Sequence, residues 1–353
     1  FPTRRSSDLI ASDMLEARRN QSLGDLSKRL NMELAGFRSL VSATARKMPL
    51  REEPASYQEA FLDMDERWGD PAYWQVIRRN ASSVTPYYLL AALDHRIDDL
   101  GELAKATPDQ AIYLDIIART FWMSLVITAI CLVLAYPLAY LLANLPTRQG
   151  NLLMILVLLP FWTSLLVRTT SWIALLQTNG VINSTLMGIG LISQPFEMLY
   201  TSFATVVAMT HILLPFMILP LYSVMRGIDP SYMRAALSLG DKPIPAFARI
   251  YFPMTLPGLS AGALLVFIIS VGYYITPALV GGTDGQMISN IIAFHMQRSN
   301  NWELAAALGS LLLGLILLLS NQVNLVTHLV TRDTGEVVAR LIVALKHVRL
   351  DRQ

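Results

Sequence analysis

Three observations predict an all-α fold: a polytopic membrane helical bundle with a helical domain at its N-terminal end. Hydrophobic residues make up 53% of the 353-residue chain and charged residues only 15%, well below the roughly one quarter typical of soluble domains. The acidic residues are segregated: 18 of the 26 precede residue 116, leaving eight for the following 238 positions. Beyond that point lie five apolar runs, each near the roughly 20 residues that a helix needs to cross the hydrocarbon core.

Residues 1–9, Phe-Pro-Thr-Arg-Arg-Ser-Ser-Asp-Leu, resemble a translated sequencing adaptor and are set aside as foreign. No initiator Met is present, so a leading segment is expected to be missing. Residues 10–115 then read as a polar, mostly helical domain. Leu23, Leu26, Leu30 and Met32 form a helical stripe, continued by Phe37, Leu40 and Val41. Trp68, Gly69 and Pro71, with Trp74 just after, mark a turn, and Thr85-Pro86 opens another helix running to about Asp94. No catalytic signature occurs here, and the charges read as a solvated face.

The membrane domain is expected over residues 116–330, with spans at 120–144, 151–176, 203–224, 259–280 and 304–325. Pro137, Pro160, Pro215, Pro220 and Pro277 lie inside these spans, which favours a packed bundle whose neighbours satisfy the freed carbonyls. Orientation follows the basic residues. Arg148 follows the first span; Arg226, Arg234, Lys242 and Arg249 follow the third; Arg332, Arg340, Lys346, Arg349 and Arg352 follow the fifth. The opposite loops hold only Arg298. The N-terminal domain is therefore expected outside and the basic tail, residues 331–353, inside. A domain outside needs a preceding span to deliver it, so six spans are expected in the full chain.

The loop at 228–258 has its own structure. Asp229 can cap a helix that Pro230 opens, Tyr232, Ala235, Ala236 and Leu239 share a face, and Gly240 can end it in the left-handed conformation. A second short helix is expected from Ala246 to Tyr251, before Pro253 and Pro257. The Ala235-Ala236 pair, Gly240, Arg249, Pro253 and Pro257 at this spacing resemble the cytoplasmic EAA loop of binding-protein-dependent ABC importer permeases. Arg234 departs from that pattern, because the family carries Glu there. The run from Leu159 to Trp172 and the stretch 287–309 resemble the spermidine/putrescine-type members, as does a large external insertion.

Other chemistry is sparse. The chain has no Gly-x-x-x-x-Gly-Lys-Ser/Thr stretch to cradle ATP phosphates, and Gly281-Gly-Thr-Asp-Gly reads as a loop. The five predicted spans contain no Asp or Glu, which weighs against a proton- or sodium-driven carrier. Cys131 is the only cysteine, and the five histidines show no metal-ligand spacing. Arg168 is the one clear intramembrane charge. It either lines a pathway or pairs structurally with a carbonyl or a partner subunit. Trp162, Thr163, Trp172, Tyr273 and Tyr274 are pathway candidates; the rings of Trp162, Trp172, Tyr273 and Tyr274 could stack on a cationic amine, or they are packing residues. His211, and Asn321, Gln322 and Asn324, read as interhelical hydrogen-bonders.

The resemblance implies a non-catalytic permease subunit. Its coupling helix, carrying Ser231, Tyr232, Arg234, Ala235, Ala236, Leu239 and Gly240, would sit in a groove of an ATPase. It implies as partners a second permease, two cytoplasmic ABC ATPase subunits holding ATP and Mg, and an extracytoplasmic substrate-binding protein, in contact with membrane lipid and with no nucleic acid. The implied substrate is a polyamine. The readings left beside it are an ATPase-independent carrier or channel and a membrane-anchored scaffold; neither needs the 228–258 loop.

Overall fold

The computed structural model describes residues 4–48, 57–80, 85–97 and 102–323. The expected tail at 331–353, Asn324 and the first three residues lie outside them. The chain divides into two compact units, residues 1–91 with 95–106, and residues 92–94 with 107–353.

The first unit is built from α1 (Arg4–Arg19), α2 (Leu23–Glu33), α3 (Phe37–Lys47), α4 (Tyr57–Met64), α5 (Pro71–Asn80) and α6 (Tyr87–Ala92). α1 runs without a break through residues 4–9. Gly36 turns α2 into α3 at φ +95°, with its N–H donated to Asn31 Oδ1 at 3.0 Å. The expected turn around Trp68 is a 3-10 helix, Glu66–Gly69, capped where Arg67 N–H donates to Asp65 Oδ1 at 3.1 Å. It delivers Trp68 into the core, where the ring stacks on Phe61 at 5.0 Å and Nε1 donates to Thr44 Oγ1 at 2.9 Å. One feature departs from the all-helical reading. β1 (His95–Ile97) pairs antiparallel with β2 (Leu103–Lys105), His95 opposite Lys105.

In the second unit α7 (Tyr113–Asn144), α11 (Ser202–Arg226) and α13 (Pro243–Gly272) pack together, with α11 against both others. Ile127, Cys131, Ala135 and Ala139 recur every fourth residue of α7, and all four are fully buried against Met209, Leu213, Met217 and Leu221 of α11. Small residues on that face let the backbones approach closely. The same device joins α13 to α11: Gly258 and Gly262 stand against Val224 and Met217.

Between α7 and α11 lie α8 (Thr147–Leu158), α9 (Leu165–Leu176) and α10 (Val181–Gly188). After α13 come α14 (Ile275–Val280), α15 (Ile288–Gln297) and α16 (Trp302–Val323). Among the described residues, four helices (α7, α11, α13 and α16) are long and apolar enough to cross a membrane, or five crossings if the bent pair at Thr147–Trp162 and Leu165–Gly188 counts as one.

Several span boundaries are corrected. The run at 151–176 is not one straight helix, because the chain bends by 93° between Trp162 and Leu165. Pro160 has no N–H to continue the ladder, Thr163 and Ser164 are extended at ψ 144° and 140°, and Thr163 Oγ1 donates to Pro160 O at 2.8 Å. α13 is one helix from Pro243, so the separate helix expected at Ala246–Tyr251 does not stop before Pro253. A π turn at Phe247–Tyr251 carries the helix through. Widening the ladder there relieves the clash between the Pro253 ring and the carbonyl four residues back. α13 ends at Gly272, short of residue 280, so Pro277 belongs to the short α14 and Pro160 to a break. Asn321 and Gln322 are exposed on α16 rather than buried between helices of this chain.

Candidate functional site

The loop after α11 folds into α12 (Ser231–Ser238). Ser231 N–H donates to Asp229 Oδ1 at 2.7 Å, so Asp229 does the capping expected of it. That bond, with the nearby Arg234 charge, holds the Asp229 carboxyl below its usual value. At the other end Gly240 sits at φ +94°. Gly240 N–H donates to Leu237 O and Asp241 N–H to Ala236 O, both at 3.1 Å. This pair of bonds is the Schellman stop, and it satisfies carbonyls the helix end would leave unpaired.

The predicted face is only partly assembled. Ala236 is buried, Tyr232 and Ala235 are half-buried, and Met233 packs against the α7–α11 core. Leu239, expected on the same face, is exposed at 56%, beside exposed Leu237 and Ile244. Ser231, Arg234 and Gly240 are also exposed. Ala236, Leu239, Gly240, Asp241 and Ile250 line a shallow depression. The result is a short capped helix whose outer surface carries Arg234 and Leu237, with Leu239 just beyond its end.

A second group forms where α9, α11 and α13 meet. Trp172 Nε1 donates to His211 Nδ1 at 3.2 Å, with the rings 5.7 Å apart and near-perpendicular. This makes His211 an interhelical hydrogen-bonder, as its position in an apolar run suggests. Arg168 is within electrostatic reach of both His211 and Tyr273, and its Nε is buried without a hydrogen-bond partner. One turn further, Thr169 Oγ1 meets Thr276 Oγ1 at 3.3 Å. The structure therefore places Trp172 and Arg168 beside His211, with Arg168 also within reach of Tyr273. Trp162 and Thr163 stand apart at the α8–α9 bend, Trp162 being 90% exposed, and Tyr274 is partly exposed beyond the end of α13.

Sequence reasoning missed what holds that break open. Ser289 Oγ donates to Tyr273 O at 2.6 Å and Asn290 Nδ2 to Tyr274 O at 2.7 Å. These side chains from α15 accept the role of the backbone donors lost where α13 stops. A Ser-Asn pair inside an apolar stretch was the available signal. The glycine loop also has a structural role: Thr205 Oγ1 donates to Gly285 O at 3.2 Å and Ser202 Oγ to Asp284 O at 2.8 Å, pinning it to the start of α11.

Residues 135–331 match the family model described as binding-protein-dependent transport system inner membrane component. The chain is 36% identical over 210 residues to the spermidine/putrescine transport system permease protein PotB of Escherichia coli K12, covering 59% of this chain and 76% of that protein. It is 35% identical over 196 residues to PotB of Haemophilus influenzae, covering 56% and 68%. Among solved structures, a chain of the bacterial alginate ABC transporter in complex with alginate pentasaccharide-bound periplasmic protein shares the fold. It superposes with a TM-score of 0.54 at 17% identity, covering 62% of this chain and 79% of that one.

Proposed function

The chain belongs to the binding-protein-dependent transport system inner membrane component family, and on that premise we propose that it forms half of the translocation pathway for a polyamine of the spermidine or putrescine type. As a member it is a multi-pass inner-membrane protein, the non-catalytic permease subunit of a multi-subunit ABC importer. The other half of the pathway is a second permease. Two cytoplasmic ATPase subunits bind and hydrolyse ATP with Mg, and an extracytoplasmic binding protein delivers the solute.

The observation that carries the reading is α12. It is a short helix between two long apolar ones, capped by Asp229, stopped at Gly240, with Leu237 and Leu239 exposed. It is the right shape and polarity to lie in a groove of the ATPase and move with it. Tyr232, Met233 and Ala236 tie that motion to the α7–α11 core. In this reading the chain crosses five times, with the bent pair α8–α10 as one crossing. The domain at 10–115 is outside; α12 and the C-terminus are inside, as the basic loops favour.

Arg168, Trp172, Tyr273 and Tyr274, with Trp162 and Thr163 at the bend, are assigned to the pathway. The aromatic rings suit a passing amine. Arg168 opposes a polycation, and the spans offer no carboxylate, so the anionic groups that select a polyamine belong to the second permease or the binding protein. The test is ATP hydrolysis by the complex reconstituted with its ATPase and binding protein in liposomes. Stimulation by binding protein loaded with spermidine or putrescine is expected. Stimulation only by another ligand removes the polyamine assignment, and failure of any ATPase to co-purify removes the coupling role of α12.

A further inference from the structure

The N-terminal unit contains a cavity of its own. It measures about 220 Å³ and is walled by α1, α2, α3 and α5 with the Trp68 turn. That exceeds the ~150 Å³ of an apolar cavity able to hold a benzene ring. Its floor is apolar and aromatic: Phe37 is fully buried, Trp68 is 2% exposed and Leu30 5%. Phe37 and Trp68 are fixed edge to face at 6.5 Å, and Trp68 is pinned through Thr44. These rings are a rigid wall rather than a loosely packed gap.

Two ionic groups reach this apolar space. Arg29 of α2 lines it, and its Nε is buried with no hydrogen-bond partner. A guanidinium at the wall of an apolar space is stabilised by an acceptor placed there, above all an ionised one. Asp13 of α1 lines the same cavity and is exposed. No ion pair joins the two among the described residues. Asn80 closes the wall, its Nδ2 donating to Glu33 Oε2 at 2.6 Å and Val76 O at 2.9 Å.

We propose that this cavity is a binding site for an α-amino acid with an apolar side chain. The carboxylate accepts from the Arg29 guanidinium, the ammonium faces Asp13 at the mouth, and the side chain lies against Phe37 and Trp68. A purely apolar ligand gives the Arg29 guanidinium no acceptor. A simple anion meets the Asp13 charge, and a simple amine meets Arg29. Only a zwitterion answers both. The site rests on the N-terminal unit alone and stands whatever solute the membrane unit carries.

The experiment is titration of phenylalanine into the full chain in lipid nanodiscs, read by calorimetry. Hydrocinnamate, which lacks the amine, and phenethylamine, which lacks the carboxylate, serve as controls. Phenylalanine is expected to bind at least tenfold more tightly than either. Arg29→Met should weaken binding tenfold or more, Arg29→Lys should restore part of it, and Asp13→Asn should weaken it several-fold. Val41→Phe fills the cavity from α3 and should abolish binding; an unchanged melting temperature for Arg29→Met separates loss of the site from loss of the fold. The proposal is overturned if no binding is seen at millimolar phenylalanine, if either control binds as tightly, or if binding survives both Arg29→Met and Val41→Phe.

Discussion

Gly258 of α13 lies directly on the Pro220 carbonyl of α11: a Cβ at this glycine would stand 3.0 Å from that oxygen and 2.9 Å from Val224 Cβ. One turn on, a Cβ at Gly262 would meet Met217 Sδ at 2.8 Å and Met217 O at 3.2 Å. Two of these neighbours are backbone oxygens and cannot rotate aside. Gly258→Ala is therefore expected to destabilise the bundle by about 1–3 kcal/mol, the usual cost of forcing a methyl into a packed interface. Gly309→Ala is the control, since a Cβ there meets nothing within 4 Å. Thermal unfolding of the detergent-solubilised complex should separate the two variants clearly.

The stop of α12 makes a sharper prediction. Gly240 is at φ +94°, where a residue with a Cβ is strained by about 1–2 kcal/mol. Proline cannot adopt that angle and would also remove the N–H that donates to Leu237 O. Gly240→Pro should abolish uptake while the chain still reaches the membrane. Uptake and ATP hydrolysis in proteoliposomes, with a membrane-fraction blot, check this; wild-type transport by that variant would refute the coupling role.

Asp229 sets the opposite end of the same helix. Its carboxyl titrates below the ordinary 3.8, chiefly because the Ser231 backbone N–H donates to the ionised form. A depressed carboxylate contributes stability that is present above the unfolded value and lost as pH falls through the folded one. The cap should thus be indifferent to pH from 5 to 8 and fail only in strong acid, below about 3.8. Asp229→Ala should speed hydrogen exchange at the first amides of α12, and Asp229→Asn, which keeps an acceptor, should restore protection.

Trp172 and His211 form a bond with a defined tautomer. Because Trp172 Nε1 donates to His211 Nδ1, the imidazole is neutral with its proton on Nε2. Trp172→Phe and His211→Phe should each lower uptake several-fold. The double variant should cost no more than the worse single, with a coupling of about 0.5–1.5 kcal/mol for a neutral hydrogen bond. Additive losses would mean that the two residues act separately.

Much of the fold was legible in the chain because lipid and protein interiors both demand apolar side chains. The apolar runs located α7, α11 and α16 to within a few residues or one or two turns at their ends. Asp229, Pro230 and Gly240 announced α12 through purely local rules of capping and backbone freedom. The Phe37–Leu40–Val41 stripe likewise named core residues of the N-terminal unit. The strand pair His95–Ile97 and Leu103–Lys105 gave no alternating signal to read, as each strand is only three residues long.

What hydropathy could not report is which apolar helix is continuous. Pro160 and Pro253 carry the same local penalty. One ends in a 93° bend and the other is threaded by a π turn, because each outcome depends on what packs alongside. α13 breaks at Tyr273 with Ser289 and Asn290 of α15, distant in sequence, bonded to the carbonyls at the break. Arg168 and Trp172 come from α9, His211 from α11 and Tyr273 from the break after α13, so their meeting is a property of helix crossings that no spacing within one segment encodes. Composition and local backbone rules were enough to specify a membrane bundle with a capped helical loop between two long apolar helices. Where the helices break, which side chains share the Arg168 cluster, and the close approach of α13 to α11 at Gly258 and Gly262 were set by tertiary packing, because each depends on contacts between segments far apart in the chain.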